Sequence, residues 1–136
     1  MSTGAATMAE IRNGLATALE AGAVSVSLLH CVLNYPTSYE NAQLALMGEL
    51  DREFGAEHAI GYSDHVPPTA DGSVPALHAT TLLGARILEK HFTLDKSAAG
   101  NDHYHAVDEF DLRRFTDELA QLRQAYGNGV RELSGQ

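Results

Sequence analysis

Three short apolar stretches alternate with amphipathic helical patterns along this chain, and that order constrains the fold more than any other feature. The stretches span residues 23–32, 59–65 and 85–93. Between and after them, apolar residues recur at intervals of three and four, the spacing of one helix face. Strands separated by helices form parallel, right-handed βαβ units. The sequence therefore predicts an α/β fold with a parallel sheet, either a small open sheet or part of a (β/α)8 barrel.

Four helices are predicted from this periodicity and from signals at the helix ends. Thr7 and Glu10 form a capping box before the first helix, and Gly22 suits the cap at its end. A weaker helix runs from about residue 73 to 84. The second and last helices have the most regular apolar faces, which consist of Leu44, Met47, Leu50 and Phe54 in the second and Leu112, Phe115, Leu119, Leu122 and Tyr126 in the last.

Composition and charge argue against several classes of function. The formal net charge is −9, from 18 acidic and 9 basic residues in 136, which disfavours nucleic acid or an anionic membrane as partner. No apolar run approaches the ~20 residues of a bilayer-spanning helix, and the start has no export signal. Cys31 is the single cysteine, so no internal disulfide can form. We expect a cytoplasmic protein with one domain over residues 1–136.

Ionisable side chains collect where the predicted strands end. Ser63 and His65 close the second strand, and Glu89 and His91 close the third. Side chains alternate along a strand, so each of these pairs shares a face, while Lys90 points to the opposite face, towards the helices. The carboxyl ends of parallel strands are where α/β folds carry their sites. Two imidazoles on strands about 4.8 Å apart, with a nearby carboxylate, suit a catalytic divalent metal.

The other histidines and the cysteine have structural interpretations. His30 lies among apolar neighbours and is predicted to belong to the core. His58 and His78 fall on helical or loop segments and are predicted to lie at the surface. Cys31 has no orienting third group in the sequence, so it is interpreted as a small buried hydrophobe rather than a nucleophile.

A histidine pair, His103 and His105, follows Asp102 in a predicted loop. Such a tract can bind a metal, because imidazole and carboxylate are both metal ligands. Loop histidines are also common at protein surfaces without any ligand. We interpret this pair as surface residues.

Four motifs, in this order, closely resemble those of the sialic acid synthase family. They begin at residues 28, 60, 84 and 100 and read LLHCVLNYPTSYENAQL, IGYSDH, GARILEKHFTLDK and GNDH. The opening STGAAT is similar to the segment that ends the fifth barrel strand in that family. The resemblance covers nearly the whole chain. It implies a partial (β/α)8 TIM barrel made of strands five to eight with their helices.

Members of that family condense phosphoenolpyruvate with an N-acylmannosamine or related N-acylated amino sugar, in a metal-dependent aldol-type reaction. The resemblance implies that Mn²⁺ or Mg²⁺ polarises the sugar aldehyde while C3 of phosphoenolpyruvate attacks it. It also implies roles for seven residues: His65 and His91 as metal ligands, Glu89 as a catalytic residue, and Ser2, Tyr35, Ser63 and Asp102 as substrate-binding residues.

The resemblance covers about half of a barrel, since a full one takes ~250 residues. The family carries its catalytic glutamate and phosphate-binding lysines on strands one to four. One hypothesis is an enzyme component that works with a complementing N-terminal half or as a homo-oligomer. Another is a non-catalytic half barrel that at most binds metal or phosphate. Synthases of other 3-deoxy sugar acids fit the motifs less well.

Overall fold

Four α-helices alternate with three parallel strands in residues 1–129, which are the residues that the computed structural model describes. The predicted α/β fold is confirmed. The elements, in chain order, are α1 (Met8–Glu20), β1 (Leu28–His30), a 3₁₀ helix (Tyr39–Asn41), α2 (Leu46–Phe54), β2 (Ile60–Asp64), α3 (Pro75–Leu82), β3 (Ile87–Lys90) and α4 (Glu109–Tyr126).

The sheet has the order β1-β2-β3, and both pairings are parallel. Ser2 adds a further parallel position, because it forms an isolated bridge with Leu29 on the other side of β1. The Leu29 N–H donates to the Met1 carbonyl at 2.9 Å, and the Thr3 N–H donates to the Leu29 carbonyl at 2.9 Å. Parallel positions that follow one another in chain order are the arrangement of consecutive strands in a (β/α)8 barrel.

Helix ends follow the signals in the sequence. The predicted capping box of α1 is confirmed: Glu10 Oε2 accepts from the Thr7 N–H at 2.7 Å, and Thr7 Oγ1 accepts from the Glu10 N–H at 3.3 Å. Helix α2 ends at Gly55, whose N–H donates to the Asp51 carbonyl at 2.8 Å. Within residues 1–129, no helix combines the length and apolar character that crossing a membrane requires.

The first and third strands are shorter than predicted. Strand β2 begins at Ile60, which lies opposite Leu28, so residues 23–27 extend beyond the start of the neighbouring strand. Val24 is fully exposed as a result. Strand β3 ends at Lys90, opposite the last residue of β2. The next residues pair with the segment around Val107, whose N–H donates to the His91 carbonyl at 2.9 Å.

The sheet buries one face against the helices and leaves much of the other open. Leu28, Ile60 and Tyr62 lie on the helix face and are each at most 4% exposed. The helices contribute the rest of this cluster, which includes Ile11, Leu15, Met47, Leu50, Phe54, Leu77 and Phe115. On the opposite face of β3, Ile87 and Glu89 are exposed. This is the face that would line the inside of a complete barrel.

A buried ion pair lies on the helix face beyond Tyr62. As predicted, Lys90 points away from the open face, and its partner there is Asp64. The Lys90 Nζ lies 3.0 Å from Asp64 Oδ2, with side-chain exposures of 7% and 1%. The same Nζ donates to the Val66 carbonyl at 2.6 Å. Burial lowers the pKa of Lys90, and the attraction of Asp64 opposes that shift.

Asp108 is the N-cap of α4, and we expect Asp108→Ala to lower the free energy of unfolding by about 1 kcal/mol. Asp108 Oδ1 accepts from the Asp111 N–H at 3.0 Å, and Asp111 Oδ2 accepts from the Asp108 N–H at 3.2 Å. The backbone N–H of Asp111, and then Lys96, lower the pKa of Asp108 below its usual 3.8. Its charge therefore stabilises the fold above that pH, and this contribution is lost as the pH falls through the folded-state pKa.

Urea unfolding between pH 3 and 7 measures this effect, with Asp108→Asn as the matched control. Asparagine keeps the cap acceptor but not the charge. The stability difference between wild type and Asp108→Asn should shrink at the acidic end. A difference that stays constant with pH would contradict the assignment of a stabilising charge to Asp108.

Candidate active site

Ser63 and Glu89 meet at the carboxyl ends of β2 and β3. The register places the two residues opposite each other, and Ser63 Oγ donates to Glu89 Oε2 at 2.6 Å. Ser63 is buried while Glu89 is exposed. The hydrogen bond therefore orients the Glu89 carboxylate through one oxygen, while the side chain stays exposed on the open face of the sheet.

His65 follows β2 and is oriented by a backbone carbonyl. Its ring is buried, and its Nδ1 lies 2.9 Å from the Val32 carbonyl. A carbonyl can only accept, so Nδ1 carries a hydrogen, and in the neutral ring the lone pair is then on Nε2. A histidine whose other nitrogen donates to a carbonyl has the usual arrangement of a metal ligand.

His91 follows β3, and its ring centroid lies 5.3 Å from that of His65. The structure thus brings together the two histidines that the sequence predicted at neighbouring strand ends. Asp102 reaches them from the following loop, with its Oδ2 3.9 Å from His91 Nδ1. The Asp102 side chain is 60% exposed and His91 27% exposed, so the cluster opens to solvent on this side.

Tyr35 covers the cluster from the loop after β1. Its ring centroid lies 4.1 Å from that of His65 and 6.1 Å from that of His91. The Tyr35 carbonyl accepts a hydrogen bond from the Tyr104 hydroxyl at 2.9 Å. This bond connects the loop after β1 with the loop that carries Asp102.

Ser2 lies apart from the cluster. It pairs with Leu29 on the far side of β1, which places it two strand positions, or about 10 Å, from β2. Its side chain is exposed. Ser2 borders the same open face, but it does not belong to the group around His65 and His91.

His105 lies inside the cluster, and the prediction that it is a surface residue is wrong. It is 0% exposed, and its ring centroid lies 5.1 Å from His91 and 6.2 Å from His65. Its Nε2 is 3.6 Å from Asp102 Oδ1. The signal in the sequence was the histidine pair after an aspartate, but nothing in the local pattern showed which histidine would turn inward.

The remaining histidines are held by structural contacts. His103 Nδ1 lies 2.7 Å from Thr93 Oγ1, and buried His30 has its Nε2 2.8 Å from the Ala42 carbonyl, as expected for a core residue. His58 and His78 are half-buried rather than at the surface. His58 Nδ1 lies 3.1 Å from the Val26 carbonyl, and His78 packs against Phe115. The prediction that Cys31 is buried is confirmed.

The electrostatics of the cluster favour a neutral His105. Burial lowers the pKa of His105, and electrostatic interaction with His91 and Lys90 acts in the same direction. The Asp102 carboxylate opposes them. Because the ordinary pKa of histidine is near 6.5, a lowered value leaves this imidazole neutral at pH 7. A neutral ring has one nitrogen lone pair to offer.

The donor set of this cluster fits a divalent metal ion. Among the described residues, His91, Asp102 and His105 have ligating atoms that all lie within 4.8 Å of one another. His65 adds an oriented Nε2 at their edge. Imidazole nitrogen and carboxylate oxygen are ligands for first-row divalent metals. The structure therefore contains a candidate metal site at the carboxyl ends of β2 and β3.

The chain that carries this site is similar to known proteins over nearly its whole length. The model of the NeuB family matches residues 1–131. The chain belongs to the NeuB family. Among relatives of this NeuB chain, the N,N'-diacetyllegionaminic acid synthase of Campylobacter jejuni is 33% identical over 136 residues, covering 98% of the chain and 39% of the relative. The N-acetylneuraminate-9-phosphate synthase of Drosophila melanogaster is 37% identical, and the match covers 90% of the chain and 32% of the relative.

Solved structures of similar proteins share the fold of this NeuB chain. The N-acetylneuraminic acid synthetase of Leptospira borgpetersenii, crystallised with citrate, has a TM-score of 0.82 at 28% identity, covering 98% of the chain and 44% of that protein. The spore coat polysaccharide biosynthesis protein SpsE of Bacillus subtilis has a TM-score of 0.78 at 32% identity, and the match covers 96% of the chain and 36% of that protein. The chain thus spans about a third to two fifths of the length of these proteins, and its fold is a partial TIM barrel.

Proposed function

We propose that this chain forms the part of a nonulosonic acid synthase barrel that carries the metal site, and that it takes part in joining phosphoenolpyruvate to an N-acylated amino sugar. The observation that carries the proposal is that His65 and His91 meet at adjacent strand ends, with Asp102 reaching His91 from the following loop, in a member of the NeuB family. Relatives in this family are named as synthases of legionaminic and pseudaminic acids and of N-acetylneuraminate 9-phosphate.

His65 and His91 would hold the divalent ion, Mn²⁺ or Mg²⁺, and Asp102 would lie beside it on the open side of the cluster. The ion, when bound, supplies a Lewis acid that polarises a sugar aldehyde towards attack by C3 of phosphoenolpyruvate. The hydrogen bond to Val32 keeps the His65 ring in one tautomer, which directs Nε2 towards the ion. Tyr35 packs on the same ring and shields it from water.

Glu89 is the residue best placed to hold or move a proton near the reacting atoms. The Ser63 hydroxyl engages Glu89 Oε2, so the other carboxylate oxygen is free to accept from a substrate hydroxyl. Asp102 is exposed at the mouth of the site, where it can accept hydrogen bonds from the sugar. We assign substrate contacts to Ser2, Tyr35, Ser63 and Asp102, with Ser2 at the margin of the open face.

The open face of β3 favours a second protein surface as part of the working site. Ile87 is 37% exposed there, and Glu89 beside it is a charged group with one hydrogen-bonding partner from β2. A complementing N-terminal half or a second copy of the chain would cover both residues and the edge of the sheet. Residues 1–136 would then act as a single unit in the cytoplasm.

The alternative is a non-catalytic half barrel that binds only metal or phosphate.

Phosphate release from phosphoenolpyruvate tests the proposed function. The purified chain is incubated with Mn²⁺, phosphoenolpyruvate and an N-acylmannosamine. Each assay is run with the chain alone and with the segment of the C. jejuni synthase that precedes the matched region. We expect phosphate release that requires the sugar and both His65 and His91. Release should also require a completed barrel, supplied either by the added segment or by self-association of the chain.

Two controls make this result specific. A His58→Gln variant removes a histidine outside the cluster and should release phosphate at the wild-type rate. If the chain binds metal but releases no phosphate, either alone or with the added segment, the result would support the non-catalytic half barrel instead. Release that is equal in wild type and His65→Ala/His91→Ala would overturn the proposed role of the cluster.

A further inference from the structure

His105 is a buried imidazole whose two ring nitrogens have no hydrogen-bond partner among the described residues. Its ring is 0% exposed, so solvent does not provide a partner either. Buried polar side-chain atoms almost always have a hydrogen-bond partner, and an ion is one of the groups that explains an exception. Among the described residues, the contacts of His105 thus provide no hydrogen bond to either ring nitrogen.

Aromatic packing does not account for these nitrogens. Tyr104 and Tyr35 approach the ring, with centroid distances of 5.2 and 5.9 Å. The Tyr104 hydroxyl, however, donates to the Tyr35 carbonyl at 2.9 Å. These neighbours supply apolar contact and shape to the pocket around His105, and the Tyr104 hydroxyl proton is directed elsewhere.

The position of His105 matches that of a metal ligand. Its Nε2 lies 3.6 Å from Asp102 Oδ1, and its ligating atom falls within 4.8 Å of those of His91 and Asp102. Donors bound to one ion at about 2.1 Å lie at most about 4.2 Å apart. The separations of the three donors therefore exceed that limit by at most about 0.6 Å, and the ring centroid of His65 lies 5.3 Å from that of His91.

We propose that His105 is a third imidazole ligand in the metal centre formed by His65 and His91, with Asp102 as the carboxylate. This inference rests on the metal site of the proposed function and extends it. Imidazole-rich sites suit Zn²⁺, Ni²⁺ and Fe²⁺, whereas Mg²⁺ and Mn²⁺ prefer sites rich in carboxylate and water. The third imidazole therefore shifts the preference of this centre away from Mg²⁺ and Mn²⁺ and towards ions such as Zn²⁺.

Titration of the chain with Co²⁺, followed by visible absorption, tests the proposal without an activity assay. The Co²⁺ bands report nitrogen donors and coordination geometry. We expect His105→Gln to change the bands and to weaken Co²⁺ binding at least tenfold, since even outer-shell partners of metal ligands are worth about 10–100-fold. His103→Gln is the matched control: this histidine is in the same loop but its Nδ1 faces Thr93, so it should behave like wild type.

Each outcome separates this inference from the proposed function. Equal binding and spectra in His105→Gln and wild type, with loss in His65→Ala/His91→Ala, would overturn the role of His105 and leave the histidine pair in place. Absence of Co²⁺ binding in wild type would overturn both. If circular dichroism shows that His105→Gln is unfolded, X-ray absorption of the Co²⁺-bound wild type decides. Three imidazoles per ion would support the proposal and two would contradict it.

Discussion

A His65→Ala/His91→Ala variant is expected to bind no measurable Mn²⁺ under conditions in which the wild-type chain does. The two rings lie 5.3 Å apart, and the hydrogen bond to Val32 fixes the tautomer of His65. Removing both leaves His105 and a carboxylate that is 60% exposed. The variant has lost two of the proposed imidazole ligands, so the remaining donors should not retain the ion.

Isothermal titration calorimetry with Mn²⁺ measures this loss, with circular dichroism to confirm that the variant is folded. His58→Gln serves as the control, because His58 is bonded to the Val26 carbonyl and lies outside the cluster. The control should bind Mn²⁺ like wild type. Equal, negligible heat in wild type and in the double variant would remove the metal site from this chain.

The parts of the fold that could be predicted from the sequence are those with a local cause. Strand alternation directs Glu89 to the open face of β3 and turns Lys90 to the helix face. The capping box of α1 and the end of α2 at Gly55 depend on neighbouring residues only. The motif resemblance added the partial barrel, and the structural neighbours confirm that fold.

The parts that were predicted incorrectly depend on contacts between distant segments. His105 turns inward because the chain returns to the end of β3, where the Val107 N–H donates to the His91 carbonyl and the Thr93 N–H donates to the Val107 carbonyl, each at 2.9 Å. No periodicity in the loop indicates this pairing. The length of β1 is likewise set by the start of β2, not by the apolar run that contains β1.

Asp64 is a further residue whose role depended on the fold. The sequence predicted that Lys90 points towards the helices but did not identify its partner. The partner is the residue opposite Lys90 in the parallel register. Cross-strand neighbours of this kind become visible only when two strands are known to be adjacent, which the order of segments in the chain alone does not establish.

Replacing Lys90 by methionine is therefore expected to lower the free energy of unfolding by about 3–5 kcal/mol. Asp64 is 1% exposed, and removing one partner of a buried ion pair leaves an uncompensated charge in the interior. The Val66 carbonyl also loses the ammonium that donates to it at 2.6 Å. Urea denaturation at pH 7 measures the change, and a loss below about 1 kcal/mol, the range of an exposed pair, would contradict the assignment.

A double variant, Asp64→Asn/Lys90→Met, separates two contributions to the loss of stability. One is the lost attraction between the two side chains, and the other is the cost of leaving the Asp64 charge buried without a partner. Asparagine can still accept from the Val66 N–H, as Asp64 Oδ1 does at 2.9 Å. In Lys90→Met the buried Asp64 carboxylate has lost its cation, whereas the asparagine of the double variant carries no charge that needs one. We therefore expect the double variant to be more stable than Lys90→Met alone. A double variant no more stable than Lys90→Met would contradict the cost assigned to the unpaired carboxylate, and additive losses would mean that the two side chains do not interact.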